Sequence, residues 1–341
     1  MKKNERLIQY FDLDIHGKTH ARDIKHKMSS PRKICELFGE FSVLRELNKA
    51  RKKVSSRSKQ EYRLEDMEEH CDYWVLLINV VDTDAANPVT QKIDGTDQDR
   101  EVIELGKDRG LESSSHVIVY KDKNLAGKHL CLFEKSSSLP FAKAMTFLNF
   151  LCKEAAKHFK DQYSVPHPSG EKGKKIKLYC QIAFLGHPSD EFKEELEQGV
   201  LKDIKITTDM DIVKGYDSNV HTELVSTDIK MNVGRVAVAM SGGNWSHLKK
   251  AIRYADSLDS PLVRVAFTDQ SGAGHTATIS TDTGNLYNAD KYIKKRKIQG
   301  FSIALRTAFP VIQDSIRDKM LETLENTSPR PPCTTYWGGA A

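Results

Sequence analysis

The residues most able to do chemistry in this chain are cations gathered near its N-terminus. The first sixty residues carry 16 Lys and Arg against 7 Asp and Glu, a net charge of +9, while the remainder sums to −4. Six of these cations lie close together with serines between them: Lys49, Arg51, Lys52, Lys53, Arg57 and Lys59. Cations beside small hydroxyl side chains suit phosphate contacts, which predicts a polyanionic partner, nucleic acid first of all. A solvated helix end, whose dipole also favours cations, is the alternative.

Three shorter basic runs occur later in the chain. They are Lys172, Lys174, Lys175 and Lys177, then Lys249, Lys250 and Arg253, then Lys294, Lys295, Arg296 and Lys297. Each run alone is typical of a solvated surface, whereas several runs on one concave face would favour nucleic acid. Few aromatic residues are interleaved with them, which favours contact with a duplex backbone over base stacking. Such contacts would be independent of base sequence and steeply dependent on salt.

Serine and histidine chemistry has weaker support. Ser241 has His247 six residues further on, and a serine nucleophile needs a nearby base. The motif GxSxG is absent, however, and Ser-Gly-Gly before a helix is ordinary turn chemistry. His16, His20 and His26 are spaced for metal binding or pH sensing, but a solvated basic loop is the simpler interpretation.

A metal-dependent nuclease is the main enzymatic alternative, because carboxylates can hold a divalent ion against a phosphate. The residues available for it are Asp82, Asp84, Asp94, Asp97 and Glu134–Lys135. The usual D…(D/E)xK order is missing. Asp209 and Asp211 lack the glycine and closing glutamate of a calcium loop. The sequence therefore predicts no catalytic residue, no metal and no cofactor.

Nucleotide and zinc motifs are also absent. Neither GxxxxGK[ST] nor GxGxxG occurs, and the six cysteines stand singly with no CxxC. Single cysteines in apolar segments are typical of a reducing compartment. The longest apolar run is too short for a membrane span, so we expect a cytoplasmic protein.

The elements that must position these residues are of both kinds. Alternation predicts a strand over 6–15, and Pro31 and Pro140 are placed to begin helices. Hairpins are predicted over 116–134 and around a turn at 269–274, and a last amphipathic helix over 309–324. No internal repeat is evident.

The predicted fold class is α+β, with two mixed α/β units that have antiparallel hairpins and flanking amphipathic helices. The stretch 164–175 is rich in Pro, Gly and charge, as domain linkers are. We therefore expect an N-terminal unit over 1–165 and a C-terminal unit over 176–325. Residues 326–341 are expected to form a disordered tail.

One stretch carries a family resemblance, GLESSSHVIVYKDKNLAGKHLCLFEKSSSLPFAKAMTFLNFL (residues 110–151). Its order of strand, hairpin, strand, SSSLP and helix resembles the Rex exclusion protein A of temperate phage. It is similar, more distantly, to the DNA-binding subunit of the Kiwa defence system. The segments IKMNVGRVAVAM and PLVRVAFTDQSGAG extend the likeness to about residues 73–300.

What the resemblance implies is a cytoplasmic, homodimeric, sequence-nonspecific DNA-binding protein of phage defence or prophage exclusion, working with a membrane-protein partner. The basic N-terminal sixty residues lie outside the likeness, and no functional residue carries over from it. Lys49–Lys59, Lys172–Lys175 and Lys294–Lys297 are our candidates for gripping double-stranded DNA, on charge alone.

The apolar face of residues 309–324 could pair two protomers, or pack within one chain. Two further functions stay open at this point. One is the metal-dependent nuclease effector. The other is a protein-interaction adaptor whose basic arm docks an acidic protein.

Overall fold

The computed structural model describes residues 4–19, 21, 28–53, 59–96, 99–106, 109–124, 127–136, 138–168, 174–208, 227–232, 242–258, 260, 262–281, 284–287, 290–302 and 304–325. Within these ranges the chain forms five α-helices and sixteen strands, so the predicted α+β class is confirmed. The helices are α1 (Ile34–Glu46), α2 (Phe141–His158), α3 (Asp190–Gln198), α4 (Asn244–Ser257) and α5 (Asp314–Glu325). Among the described helices, none is both long and apolar enough to cross a membrane.

The strands follow the alternation of the sequence. In the N-terminal part they are β1 (Glu5–Thr19), β2 (Arg51–Lys53), β3 (Gln60–Glu69), β4 (Tyr73–Asp82), β5 (Val89–Gln91), β6 (Arg100–Val102), β7 (Leu111–Lys123), β8 (His129–Lys135) and β9 (Ser164–Pro166). After them come β10 (Lys175–Gly186), β11 (Val200–Thr208), β12 (Thr227–Asn232), β13 (Leu262–Thr268), β14 (Gly274–Ser280), β15 (Leu286–Tyr287) and β16 (Lys295–Gln299). Both predicted hairpins, β7–β8 and β13–β14, are confirmed.

Fourteen of the described strands form one sheet in which every pairing is antiparallel. Its main order is β12-β11-β13-β14-β15-β10-β1-β8-β7-β4-β3-β2, with β9 on β10 and β16 on β1. β1 is central, because β8 pairs along one side of it while β10 and β16 share the other side. The strands β5 and β6 form a separate ribbon.

The two halves of this sheet repeat one order of elements. β1 is followed by α1 and by β3, β4, β7 and β8, and β8 returns to pair with β1. β10 is followed by α3 and by β11, β13, β14 and β15, and β15 returns to pair with β10. β12 and α4 are inserted between β11 and β13. Because β1 and β10 run antiparallel, an approximate twofold axis relates the strand order of one half to that of the other. The sequence shows no corresponding repeat.

Four helices cover one face of the sheet. Phe11 lies opposite Gly186, and Gly186 opposite Leu286, so these three positions share a face. Phe11 belongs to the apolar core under α1 and α2, and Leu286 to the core under α3 and α4. On the opposite face, α5 packs on the N-terminal half with Ile316 and Met320 fully buried. The continuous apolar run of β4 follows from this layering, because β4 is covered on both faces.

The sheet continues across the predicted boundary between units. β10, which follows that boundary, pairs with β1, and α5 packs on strands that precede it. The core under α3 and α4, in contrast, is built from residues 192–292 alone. The division into 1–165 and 176–325 stays a prediction about folding units, and residues 326–341 lie outside the described residues.

The helix α2 lies between two margins of the N-terminal part of the sheet. Tyr62 of β3 stacks on Phe147 of α2, with ring centroids 6.2 Å apart. On the other flank, the Asn149 amide donates to the carbonyl of Ile182 in β10 at 2.7 Å and accepts from its N–H at 2.8 Å. Strands from both margins therefore approach the same helix, and the sheet curls around it.

Candidate nucleic-acid interface

A basic cleft opens where α2 passes between β2 and β10, at the C-terminal end of β1. Its volume is about 420 Å³. The described residues that line it are Lys18, Lys52, Thr146, Asn149, Phe150, Lys153, Tyr179 and Gln181. Four separate elements, β1, β2, α2 and β10, thus contribute side chains to one depression.

Local geometry explains why these side chains meet. Lys18 and Tyr179 are direct partners in the ladder between β1 and β10. On α2, Phe150 and Lys153 are three residues apart and so lie on one face of the helix. Lys52 is the central residue of β2, so its side chain lies on the opposite face of the strand from those of its two neighbours.

Two of the three lysines in the cleft lie beside aromatic rings. Lys52 Nζ lies 5.7 Å from the centroid of the Phe150 ring, and Lys153 Nζ lies 5.4 Å from that of Tyr179. Among the described residues, no carboxylate is within ion-pair distance of Lys18, Lys52 or Lys153. Burial lowers the pKa of Lys52, and the positive charge of Lys153 lowers it further. Three cations therefore converge on the cleft without a counter-ion among the described residues.

The unfavourable position of the Lys52 charge beside Lys153 predicts an effect on the free energy of unfolding. Replacing Lys52 by Met removes a half-buried ammonium group and its repulsion with Lys153, so we expect the free energy of unfolding to rise by about 0.5 kcal/mol. Urea denaturation measures the change. The matched control is Lys53→Met on the next, exposed position of β2, where we expect no gain. A loss of stability in Lys52→Met would show that the ammonium group is satisfied in the folded protein.

Asn149 belongs to the scaffold of the cleft. Both ends of its amide are engaged with backbone groups, the Nδ2 with the carbonyls of Met145 and Ile182 and the Oδ1 with the N–H of Ile182. These bonds satisfy the edge of β10 at a point where β9 and β15 do not reach it. They fix the distance between α2 and β10, and hence the width of the cleft.

The predicted cluster at Lys49–Lys59 is only partly brought together. Lys52 lies in the cleft, and Lys49 lies beside the C-terminal end of α2, with its Nζ 3.3 Å from Nδ1 of His158. Lys53 is exposed. Lys59 is paired with Asp84 at 3.1 Å, so its charge is already matched. Arg51 lines a second, smaller pocket of about 170 Å³ together with Arg45 and Arg63. Arg57 lies outside the described residues.

The second predicted cluster lies at the same end of the sheet as the cleft. Lys174 precedes β10 and Lys175 begins it, and both are exposed. Leu178 of β10 lies opposite Thr19 at the end of β1, so the start of β10 extends past the cleft. Lys172 lies outside the described residues.

The third cluster lies elsewhere. Lys295 of β16 is opposite Gln9, nine residues before Lys18 on β1, which places it roughly 30 Å from the cleft at the rise of an extended strand. Its other members serve the fold. Lys294 lies over the Tyr10 ring, Arg296 donates to the Thr323 carbonyl, and Lys297 pairs with Glu5. The three predicted clusters thus do not share one surface.

Of the eight residues that line the cleft, the sequence predicts only Lys52. The other seven include Lys18, Phe150, Lys153 and Tyr179. Lys18 lies within the basic N-terminal arm but outside its densest part. Phe150 and Lys153 lie beside the apolar stripe of α2, where their spacing is a usable signal. Tyr179 gives no such signal in the sequence, because its contact with Lys153 depends on how β10 packs against α2.

One candidate carboxylate of the nuclease alternative, Glu134, is buried in this structure. Glu134 is 1% exposed, and its carboxylate is held by Arg6 at 2.8 Å and by His116 at 2.6 Å. A metal ion at Glu134 is therefore excluded by burial and by existing partners, which corrects the proposed carboxylate set. Asp84 is paired with Lys59, and Asp94 lies in a turn with φ 61°. Asp82 accepts a hydrogen bond from the Gln60 amide at 2.7 Å, and His16 lies 3.8 Å from Asp14. Six further candidates lie outside the described residues: Asp97, Asp209, Asp211, Ser241, His20 and His26.

One cluster of metal-ligand type occurs among the described residues, Glu195, Asp269 and His275, with ligand atoms within 4.8 Å of one another. All three are already engaged. His275 Nε2 lies 2.7 Å from Asp269, and Lys291 Nζ and the Tyr292 hydroxyl bind Glu195 at 3.0 and 2.9 Å. The first pair closes the turn between β13 and β14, and the contacts of Glu195 join α3 to the segment that precedes β16.

In comparisons with protein-family profiles, curated proteins and solved structures, no match to this chain was found. The support for the candidate interface is therefore the geometry and charge of the cleft.

Proposed function

We propose that this protein binds nucleic acid through its phosphates, without reading base sequence. The observation that carries the proposal is the convergence of Lys18, Lys52 and Lys153 on one cleft with no described carboxylate beside them. Lysine is a flexible point charge that suits phosphate oxygens and fixes no base geometry. Exposed Lys49, Lys53 and Lys175 extend the positive surface around the same end of the sheet.

The charge distribution supports the same function. Residues 1–60 are strongly positive while the remainder is mildly negative, and this asymmetry favours a polyanionic partner. The roles in phage defence and prophage exclusion, the membrane-protein partner, the homodimer and the cytoplasmic location are part of this proposal. They rest on the resemblance and the sequence patterns.

The proposal is tested by binding to unrelated duplexes of one length, measured by anisotropy over a series of salt concentrations. We expect similar affinity for all duplexes, with log K falling linearly in log salt. The double variant Lys52→Glu/Lys153→Glu should bind at least tenfold more weakly, and its salt slope should fall by about 2 in magnitude.

The matched control is Lys250→Glu/Arg253→Glu, which makes the same change of charge on the exposed face of α4. We expect it to change affinity less than about threefold through the general field. Equal losses in both double variants would contradict the assignment to the cleft. Absence of binding even at low salt would overturn the function and favour the adaptor, and shortened DNA in a parallel magnesium series would favour the nuclease.

A further inference from the structure

The cleft contains aromatic surface as well as positive charge. Phe150 and Tyr179 both line it, each with a lysine over its ring. The sequence favours duplex contact because aromatic residues are scarce beside the basic runs. In the folded chain, however, α2 and β10 supply rings that the basic runs themselves lack. This combination of ring and cation is what single-stranded nucleic-acid sites use.

The dimensions of the cleft distinguish between kinds of nucleic acid. At about 420 Å³ it falls in the range of small-molecule sites, roughly 300–1,000 Å³. A duplex can contact only the rim of the cleft, because its bases are stacked inside and its major groove alone is about 12 Å wide. A nucleotide that has left the stack can enter, with its phosphate on the lysines and its base on a ring.

The polar lining offers a contact for a base edge. Gln181 is half-buried in the cleft wall, and its side-chain amide has no hydrogen-bond partner among the described residues. An amide supplies both donors and an acceptor, so it can pair with the edge of any base. Asn149 cannot do this, because β10 and α2 already occupy its amide.

We propose that the cleft holds one unpaired nucleotide of a strand, with its base on Phe150 or Tyr179 and its phosphate on Lys18, Lys52 and Lys153. This inference rests on the proposed function and deepens it, since it names the form of nucleic acid that is preferred. The protein then binds single strands and duplexes with unpaired ends more tightly than blunt duplexes. Stacking of one base accounts for a difference of about 5- to 100-fold.

The test compares three fluorescent DNA probes of equal strand length: a single strand, a duplex with an unpaired overhang and a blunt duplex. We expect the first two to bind the wild-type protein at least fivefold more tightly than the third. The variant Phe150→Leu/Tyr179→Leu keeps apolar packing on α2 and β10 but removes both rings. It should lose the preference while keeping its affinity for the blunt duplex.

The controls distinguish the preference for unpaired strands from nucleic-acid binding itself. Tyr254→Leu removes an exposed ring on α4, outside the cleft, and should keep the preference. Equal wild-type binding of blunt and unpaired probes overturns this inference and leaves the proposed function in place. Failure of all three probes to bind overturns both. Loss of binding to the blunt duplex in the ring variant would mean that the rings support the fold, and would contradict the assignment.

A free nucleotide is the other source of the same chemistry. Adenosine monophosphate and inorganic phosphate are therefore added as competitors against the single-stranded probe. We expect the nucleotide to compete only at concentrations far above those of an unlabelled strand, and phosphate to compete less still. Competition by the nucleotide at the concentration of the strand would overturn the strand assignment in favour of a mononucleotide ligand.

Discussion

Replacing Glu134 by Gln should lower the free energy of unfolding by about 3–5 kcal/mol, because the substitution leaves a buried guanidinium group without its counter-ion. Arg6 and Glu134 are each 1% exposed at the side chain, with Nε and Oε1 2.8 Å apart. In a buried pair the loss of one partner exposes the full desolvation penalty of the other. The pair joins β1 to β8 at the centre of the sheet, so its loss should destabilise both strands.

The contacts around this pair extend the effect to the C-terminal segment. His116 Nδ1 lies 2.6 Å from the second oxygen of Glu134, and His116 Nε2 accepts the backbone N–H of Gln313 at 3.0 Å. Arg6 also donates to the carbonyl of Arg306 at 2.6 Å. The carboxylate therefore orients two side chains that hold residues 306–313 on the sheet.

Urea denaturation of Glu134→Gln at neutral pH measures this effect. The matched control is Glu69→Gln, the same substitution in an exposed pair with Lys121 at 2.8 Å, for which we expect less than about 1 kcal/mol. A change below 1 kcal/mol in Glu134→Gln would show that the buried pair is not a source of stability.

The same pair should make stability depend on pH. Burial raises the pKa of Glu134, but its contacts with His116 and with the Arg6 guanidinium lower it, and the net shift is downward. The stabilisation is thus present above the ordinary glutamate pKa of about 4.3 and is lost as the pH falls through the lower folded value. The difference between the wild type and Glu134→Gln should therefore shrink in acid.

Local signals in the sequence are sufficient for much of the fold. Pro140 occupies the N-cap of α2, and the apolar stripe that follows it is buried, as the helical period predicts. The hairpin β7–β8 follows from alternation on both sides of a turn at Asn124–Gly127. In each case the residues that decide the structure are neighbours in the chain.

The last helix shows where a local signal misleads. The spacing of Phe309 and Ile312 continues the helical period of 316, 320 and 324, yet α5 begins only at Asp314. Pro310 disfavours a helical conformation at Phe309. Ser114 and Asp66 accept the backbone N–H groups of Phe309 and Ile312, so these residues are held against the sheet in an irregular segment.

The candidate site depends on pairings that no local pattern encodes. The sequence predicts Lys52 because this residue lies in a dense basic run. Lys18, Lys153 and Tyr179 become its neighbours only through the β1–β10 ladder and the position of α2. The position of the third basic cluster depends in the same way on tertiary pairing. Lys294–Lys297 looks equivalent in sequence but is engaged with Tyr10, Thr323 and Glu5 at the other end of β1.

Replacing Ile316 by Ala should lower the free energy of unfolding by about 2–4 kcal/mol, because the side chain is fully buried and its removal leaves a cavity. Its neighbours in that core include Leu77 and Ile118, which lie on the sheet of the same chain. The alternative of packing within one chain, rather than between protomers, is the one this structure favours for the face over 309–324.

Two measurements on Ile316→Ala distinguish these interpretations. Urea denaturation should show the loss of stability, while sedimentation at fixed concentration should show the same association state as the wild type. The matched control is Val311→Ala, a 53% exposed position just before the helix, for which we expect less than about 0.5 kcal/mol. Unchanged stability together with a smaller assembly would mean that the face pairs two protomers. Unchanged association in Ile316→Ala would mean that any homodimer uses a surface other than this face.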